Sequence, residues 1–136
     1  MIFLLEKEES RLILSRENNM SIKNKKIKKY LTKTEIDALD KLKTELKRQW
    51  SDVKMKIFGS KITGKFDEES DIDLLILLPS EVTESIRSKI INKVFEINLQ
   101  FDTSISALIL GKSEWEDSVI SSLPIYYFIE KEGVLL

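Results

Sequence analysis

The chain contains no cysteine and no histidine. Disulfides, thiolate chemistry, zinc sites of the usual kind and a Ser-His-Asp triad are therefore excluded. Catalysis is left to carboxylates, lysines, hydroxyls and backbone, a set that suits hard cations such as magnesium. Long hydrophobic runs are missing as well: LLILL and ISALIL are far too short to cross a bilayer. The opening MIFLLEKEE has neither a basic start nor a cleavage site, so a cytoplasmic protein with no membrane span is expected. An excess of one charge sign is also lacking. With a net charge of −1, 33% charged and 42% hydrophobic residues, the composition is that of a well-solvated globular protein. Its 136 residues suffice for one domain around one core.

The composition of what is present changes once, near residue 34. Residues 21–33, SIKNKKIKKYLTK, carry six lysines and no acid. Lysine runs can contact phosphates, but no arginine or aromatic pattern accompanies these, and direct nucleic-acid binding is not expected. We read residues 1–33 as a basic N-terminal extension, a solvated helix face or a frayed arm, and residues 34–136 as the domain.

From Thr34 the period is helical, with Ile36, Leu39, Leu42, Leu46 and Trp50 on one stripe. Val53, Met55 and Ile57 then alternate with lysines, the pattern of a half-buried strand closed by Phe58 and Gly59. A short turn or helix over 61–66 and the loop DEES lead to DIDLLILL, a strand apolar on both faces that Pro79 stops. Ser80 is the expected N-cap of a second helix bearing Val82, Ile86, Ile90, Val94 and Ile97. In LQFDTSISALIL, Leu99, Phe101 and Ile105 alternate with Gln100, Asp102, Ser104 and Ser106, which predicts a strand over 99–106 parallel to 71–78. A helix around 117–130, interrupted or restarted near Pro124, and a last strand GVLL complete the chain. Trp50, Trp115 and the run Tyr126, Tyr127, Phe128 read as core or partner interface rather than as stacking platforms.

The stretch IFGSKITGKFDEESDIDLLILL holds the chemistry. Residues i and i+2 of a strand share a face, so Asp71 and Asp73 point the same way, about 6–7 Å apart along the chain. Carboxylates that close repel unless a cation lies between them. A parallel neighbour can add Asp102, giving three carboxylates for a divalent-metal site with room for two ions ~3.5–4 Å apart. Gly59 permits close backbone approach at a strand end, and Ser60 with the following amides can cradle phosphate oxygens. Lys61 and Lys65 can neutralise the remaining charge. Glycine and serine, ten residues, then Asp-x-Asp opening a buried strand is the order that carries weight.

GSKITGKFDEESDIDLLI resembles the signature of the DNA polymerase β-like nucleotidyltransferase superfamily, and the minimal nucleotidyltransferases in particular. YYFIEKEGVLL is similar to their terminal segment, so the resemblance covers about residues 53–136. It implies an α/β (α+β) fold: a small mixed sheet with helices packed on one face. It implies that Asp71, Asp73 and Asp102 bind two magnesium ions, with Asp102 helping to deprotonate the acceptor, and that Gly59 and Ser60 hold the β- and γ-phosphates of ATP. Relatives often carry arginines where this chain has Lys61 and Thr63; lysine keeps the charge without the bidentate fork, and threonine keeps neither. Such proteins are commonly encoded beside a HEPN-domain protein, in pairs resembling toxin–antitoxin systems. The expected function is transfer of AMP from ATP to that partner, with which the chain can form a hetero-oligomer. A non-catalytic antitoxin, or a nucleotidyltransferase acting on a small molecule, stays open.

Overall fold

The computed structural model describes residues 24–64 and 70–136. The expectations for residues 1–23, for Lys65 and Phe66 and for most of the DEES loop lie outside the described residues.

The lysine-rich run forms a short helix, α1 (Lys25–Tyr30), capped by the Asn24 side chain, which accepts from the Lys26 amide at 2.8 Å. Its lysines are exposed, as a solvated face requires, but Ile27 and Leu31, one turn apart, are buried in the main core. This stretch is therefore held by the domain, not frayed from it. Helix α2 (Lys33–Gln49) follows at once because Thr32 and Glu35 close a capping box: the Glu35 amide donates to Thr32 Oγ1 at 3.1 Å and the Thr32 amide to Glu35 Oε1 at 2.9 Å. It buries Ala38, Leu39, Leu42 and Leu46.

Strands β1 (Lys54–Phe58), β2 (Ile72–Leu78), β3 (Ile105–Gly111) and β4 (Val134–Leu135) make one sheet in the order β3-β2-β1-β4. β2 runs parallel to β3 and antiparallel to β1, which pairs antiparallel with β4, so the sheet is mixed. Between β1 and β2 lies a single helical turn, α3 (Ser60–Thr63). Along β2 the alternation sorts two cores. Ile72, Leu74, Ile76 and Leu78 face the larger one with α1, α2 and the long helix α4 (Glu84–Phe101). Leu75, flanked by half-buried Leu77, faces a smaller one with Trp115 and Ile129. The second face is thus covered too, by α5 (Lys112–Trp115), a 3-10 turn (Ile120–Ser122) and α6 (Pro124–Glu132). The helix restarts at Pro124, with proline at the first position of α6, and residues 120–122 before it form the 3-10 turn. Trp115 Nε1 donates to Glu130 at 2.8 Å and ties the two short helices together.

Two boundaries correct the sequence reading. Helix α4 is capped by Thr83, whose Oγ1 accepts from the Ile86 amide at 3.2 Å, and not by Ser80. At its other end the helix continues to Phe101, so residues 99–101 are helical and the strand starts only at Ile105. Ile90, Val94 and Ile97 carry the buried helical stripe to within a turn of Phe101, and that packing prevails over the short alternation of LQFDTSIS.

One carboxylate in α2 is out of balance. Asp40 Oδ1 is buried without a hydrogen-bond partner among the described residues. Burial pushes this carboxyl from the ordinary 3.8 up to about 6, against the opposing pull of Lys43. The fold therefore keeps a proton that the unfolded chain has lost, and stability falls as pH rises from about 4 to about 6. Above that window the penalty is fully present. Asp40→Asn is expected to gain of order 1 kcal/mol at neutral pH, after allowing for solvent screening, and nothing at pH ~3. Urea unfolding at the two pH values checks it; an equal gain at both would refute the assignment.

Candidate functional site

The site forms where β1 ends and β2 begins. Phe58 pairs with Asp73 across the two strands, so the turn after Phe58 lies directly on the Asp73 side chain. Gly59 leaves the strand at φ 86 and ψ −165, and a Cβ there would overlap Asp73 Oδ2. Both the backbone angle and the carboxylate demand glycine at this position. The chain then makes the α3 turn, with the Ile62 and Thr63 amides donating to the Gly59 carbonyl at 3.1 and 3.3 Å.

Asp71 and Asp73 share a face with Leu75 and Leu77, that of the smaller core. Asp71 is exposed and Asp73 half-buried. Desolvation, and then the negative charge of Asp71, push the Asp73 carboxyl above its ordinary value. A cation placed between the two would relieve both effects. Hard oxygen donors beside a turn with no side chain at Gly59 fit a divalent ion of the magnesium class.

Asp102 does not join them. It is the C-cap of α4, in the left-handed conformation at φ 55, and its amide bonds the Asn98 carbonyl. A strand face was the condition for bringing it to the pair, and the helix has consumed that segment. Among the described residues no group of three Asp, Glu, His or Cys side chains could hold a metal. The register shows what takes its place. Ile72 pairs with Ile105 and Asp73 with Ser106, so Ser104 lies level with Asp71 on the same face. Ser104 Oγ donates to Asp71 Oδ1 at 2.6 Å. The turn before it is clasped by Asn98: its Oδ1 accepts from the Ile105 amide at 2.9 Å and from Thr103 Oγ1 at 3.0 Å, and its Nδ2 donates to the Ile105 carbonyl at 3.1 Å. Ser104 belongs to the polar alternation of the sequence, but a single serine there carries no metal-ligand signature.

The remaining residues of the turn divide. Ser60 opens α3, and Thr63 Oγ1 donates back to the Ser60 carbonyl at 3.2 Å. Lys61 is only 3% exposed, and its ammonium meets Glu35 Oε2 at 3.0 Å. It is thus engaged by the capping box of α2 rather than presented to the mouth of the site. Lys65 lies outside the described residues.

Comparison with known proteins now bears on this arrangement. The family described as "Nucleotidyltransferase domain" matches residues 39–133, which include the turn, both aspartates and the strands β1, β2 and β3. The chain belongs to the nucleotidyltransferase domain family. A Methanocaldococcus jannaschii protein, provisionally named a protein adenylyltransferase, is 40% identical over 57 residues. That match covers 42% of this chain and 58% of the relative, so the chain spans less than two thirds of the relative's length. In this nucleotidyltransferase domain the mixed sheet does what a polymerase β-like fold requires: antiparallel β1 and β2 bring glycine and Asp73 together, and parallel β3 closes the far side.

Proposed function

We propose that this domain is a minimal nucleotidyltransferase that moves AMP from ATP to a hydroxyl of a protein partner, with magnesium. The observation that carries it is the packing of Gly59 on Asp73, which sets a side-chain-free turn for phosphates against a carboxylate pair. A protein acceptor is supported by the relative's name and by Ile91, Phe95 and Leu99, exposed one turn apart along α4 toward the end that leads to Ser104. A HEPN-domain protein silenced by that transfer is the partner we propose, in a hetero-oligomer.

In this scheme Gly59 and Ser60 accommodate the β- and γ-phosphates, and Asp71 and Asp73 face the α-phosphate. The acceptor oxygen attacks the α-phosphorus, its P–O bond forms as the bond to the bridging oxygen breaks, and pyrophosphate leaves. The hydroxyl proton passes to solvent, since Asp102 caps a helix. Magnesium held by Asp71 and Asp73 would neutralise charge on the phosphates. Most of the catalysis then lies in positioning and charge neutralisation. A second reading, an antitoxin that acts by masking alone, is favoured by the internal ion pair of Lys61 and by serine at the third position.

Incubation with α-labelled ATP, magnesium and the HEPN partner tests both. Label on the partner, reduced at least ~10³-fold by Asp71→Ala with Asp73→Ala, is the expected result. A stable complex without label would replace transfer by masking, and undiminished label in the double variant would refute the site.

A further inference from the structure

We infer that Ser104 occupies the third ligand position of the site and holds Asp71 through its hydroxyl, so that Asp71 and Asp73 take a single divalent cation. This rests on the proposed reading of the two aspartates as cation ligands, and replaces the two ions expected from sequence.

Three observations converge on it. The parallel register fixes which residues face the pair: Ser106 in β3 is level with Asp73, and Ser104, just before the strand, with Asp71. Neither can supply charge. The 2.6 Å bond from Ser104 has the length of a charge-assisted hydroxyl–carboxylate contact, and it occupies a lone pair of Asp71 Oδ1 on the β3 side, where a second ion would have to bind. The arrangement is also fixed. The Ile72 amide donates to the Ser104 carbonyl at 2.8 Å, and Asn98 clasps Thr103 and Ile105 on either side of Ser104. Asp102 cannot exchange with Ser104 without unwinding the C-cap that its own backbone forms.

Charge counting agrees with the geometry. Without nucleotide, one divalent ion balances two carboxylates, whereas two ions would leave an excess of two positive charges on a pair with no third anion among the described residues. Magnesium bound through one or two carboxylates, with waters and substrate phosphates completing its shell, is a common arrangement.

Titration of the full chain with Mn2+ alone, following free ion by electron paramagnetic resonance, tests the inference without reference to transfer. Binding that disappears in Asp71→Ala with Asp73→Ala defines the site and removes weak surface binding from the count. The expected result is one such ion per chain. Ser104→Asp should add a second ion or tighten the first at least ~10-fold, while Ser104→Ala keeps one ion with affinity weakened ~10-fold or more. Two aspartate-dependent ions in the unsubstituted chain, or a Ser104→Asp variant identical to it, would overturn the one-ion assignment alone. Loss of any aspartate-dependent binding would overturn it together with the metal reading. The count in the unsubstituted chain decides the matter even where Ser104→Asp does not fold.

Discussion

Gly59→Ala should reduce nucleotidyl transfer by ~10²-fold or more while the protein remains folded. Two separate penalties meet at this residue. The backbone angles, φ 86 and ψ −165, lie where an alanine is strained by ~1–3 kcal/mol. The new methyl also overlaps Asp73 Oδ2, so either the turn or the carboxylate must move. Because catalysis of this kind depends on placement, a shift of ~1 Å in either group is enough for the expected loss. A double-mutant cycle read by urea unfolding, since transfer is lost without Asp73, separates the two penalties. In an Asp73→Ala background the overlap is gone, so Gly59→Ala should cost only the backbone strain, measurably less than in the parent. Equal costs in the two backgrounds would mean that the glycine serves its own turn and not the aspartate.

That coupling also explains what could be read from sequence. The order of strand, glycine, serine and Asp-x-Asp was legible because each step depends on local rules. Alternation places Asp71 and Asp73 on one face, and apolar residues on both sides of β2 mark a central strand. The stripe from Leu39 to Leu46 is local in the same sense. The third site position was not. Whether residues 99–101 close a helix or open a strand is decided by where Ile97 packs and by the Asn98 clasp, neither of which has a spacing signature. Moving the strand start to Ile105 removed Asp102 from the site and delivered Ser104.

The fate of the lysines shows the same division between local pattern and tertiary choice. A sequence of six lysines suggests a solvated arm, yet Ile27 and Leu31 at helical spacing are enough to seat α1 in the core. Lys61 suggests a phosphate contact by its place after Gly-Ser, yet Glu35, 26 residues earlier, reaches it first. Only the packing of α2 beside the turn makes that pair possible.

Lys61→Ala is therefore expected to cost about 3 kcal/mol of stability, a large part of the ~5–15 kcal/mol that holds a domain of this size. The ammonium is 3% exposed and Glu35 15%, with 3.0 Å between Nζ and Oε2. Truncation leaves the Glu35 carboxylate largely desolvated and opens a void where the lysine stem packed. Glu35 cannot simply turn to water, because its other oxygen accepts from the Thr32 amide and anchors the start of α2. Removing both charges should be far milder. Lys61→Met with Glu35→Gln keeps the volume and the capping box, and is expected to fall within ~1 kcal/mol of the parent in urea unfolding. The same pair variant decides the lysine's role toward the nucleotide. An ammonium committed to Glu35 predicts ATP affinity unchanged within ~3-fold by calorimetry, whereas one that moves to the triphosphate on binding predicts a loss of at least ~10-fold. The burial of Lys61 favours the first outcome, which would leave Gly59, Ser60 and the bound cation to hold the phosphates between them.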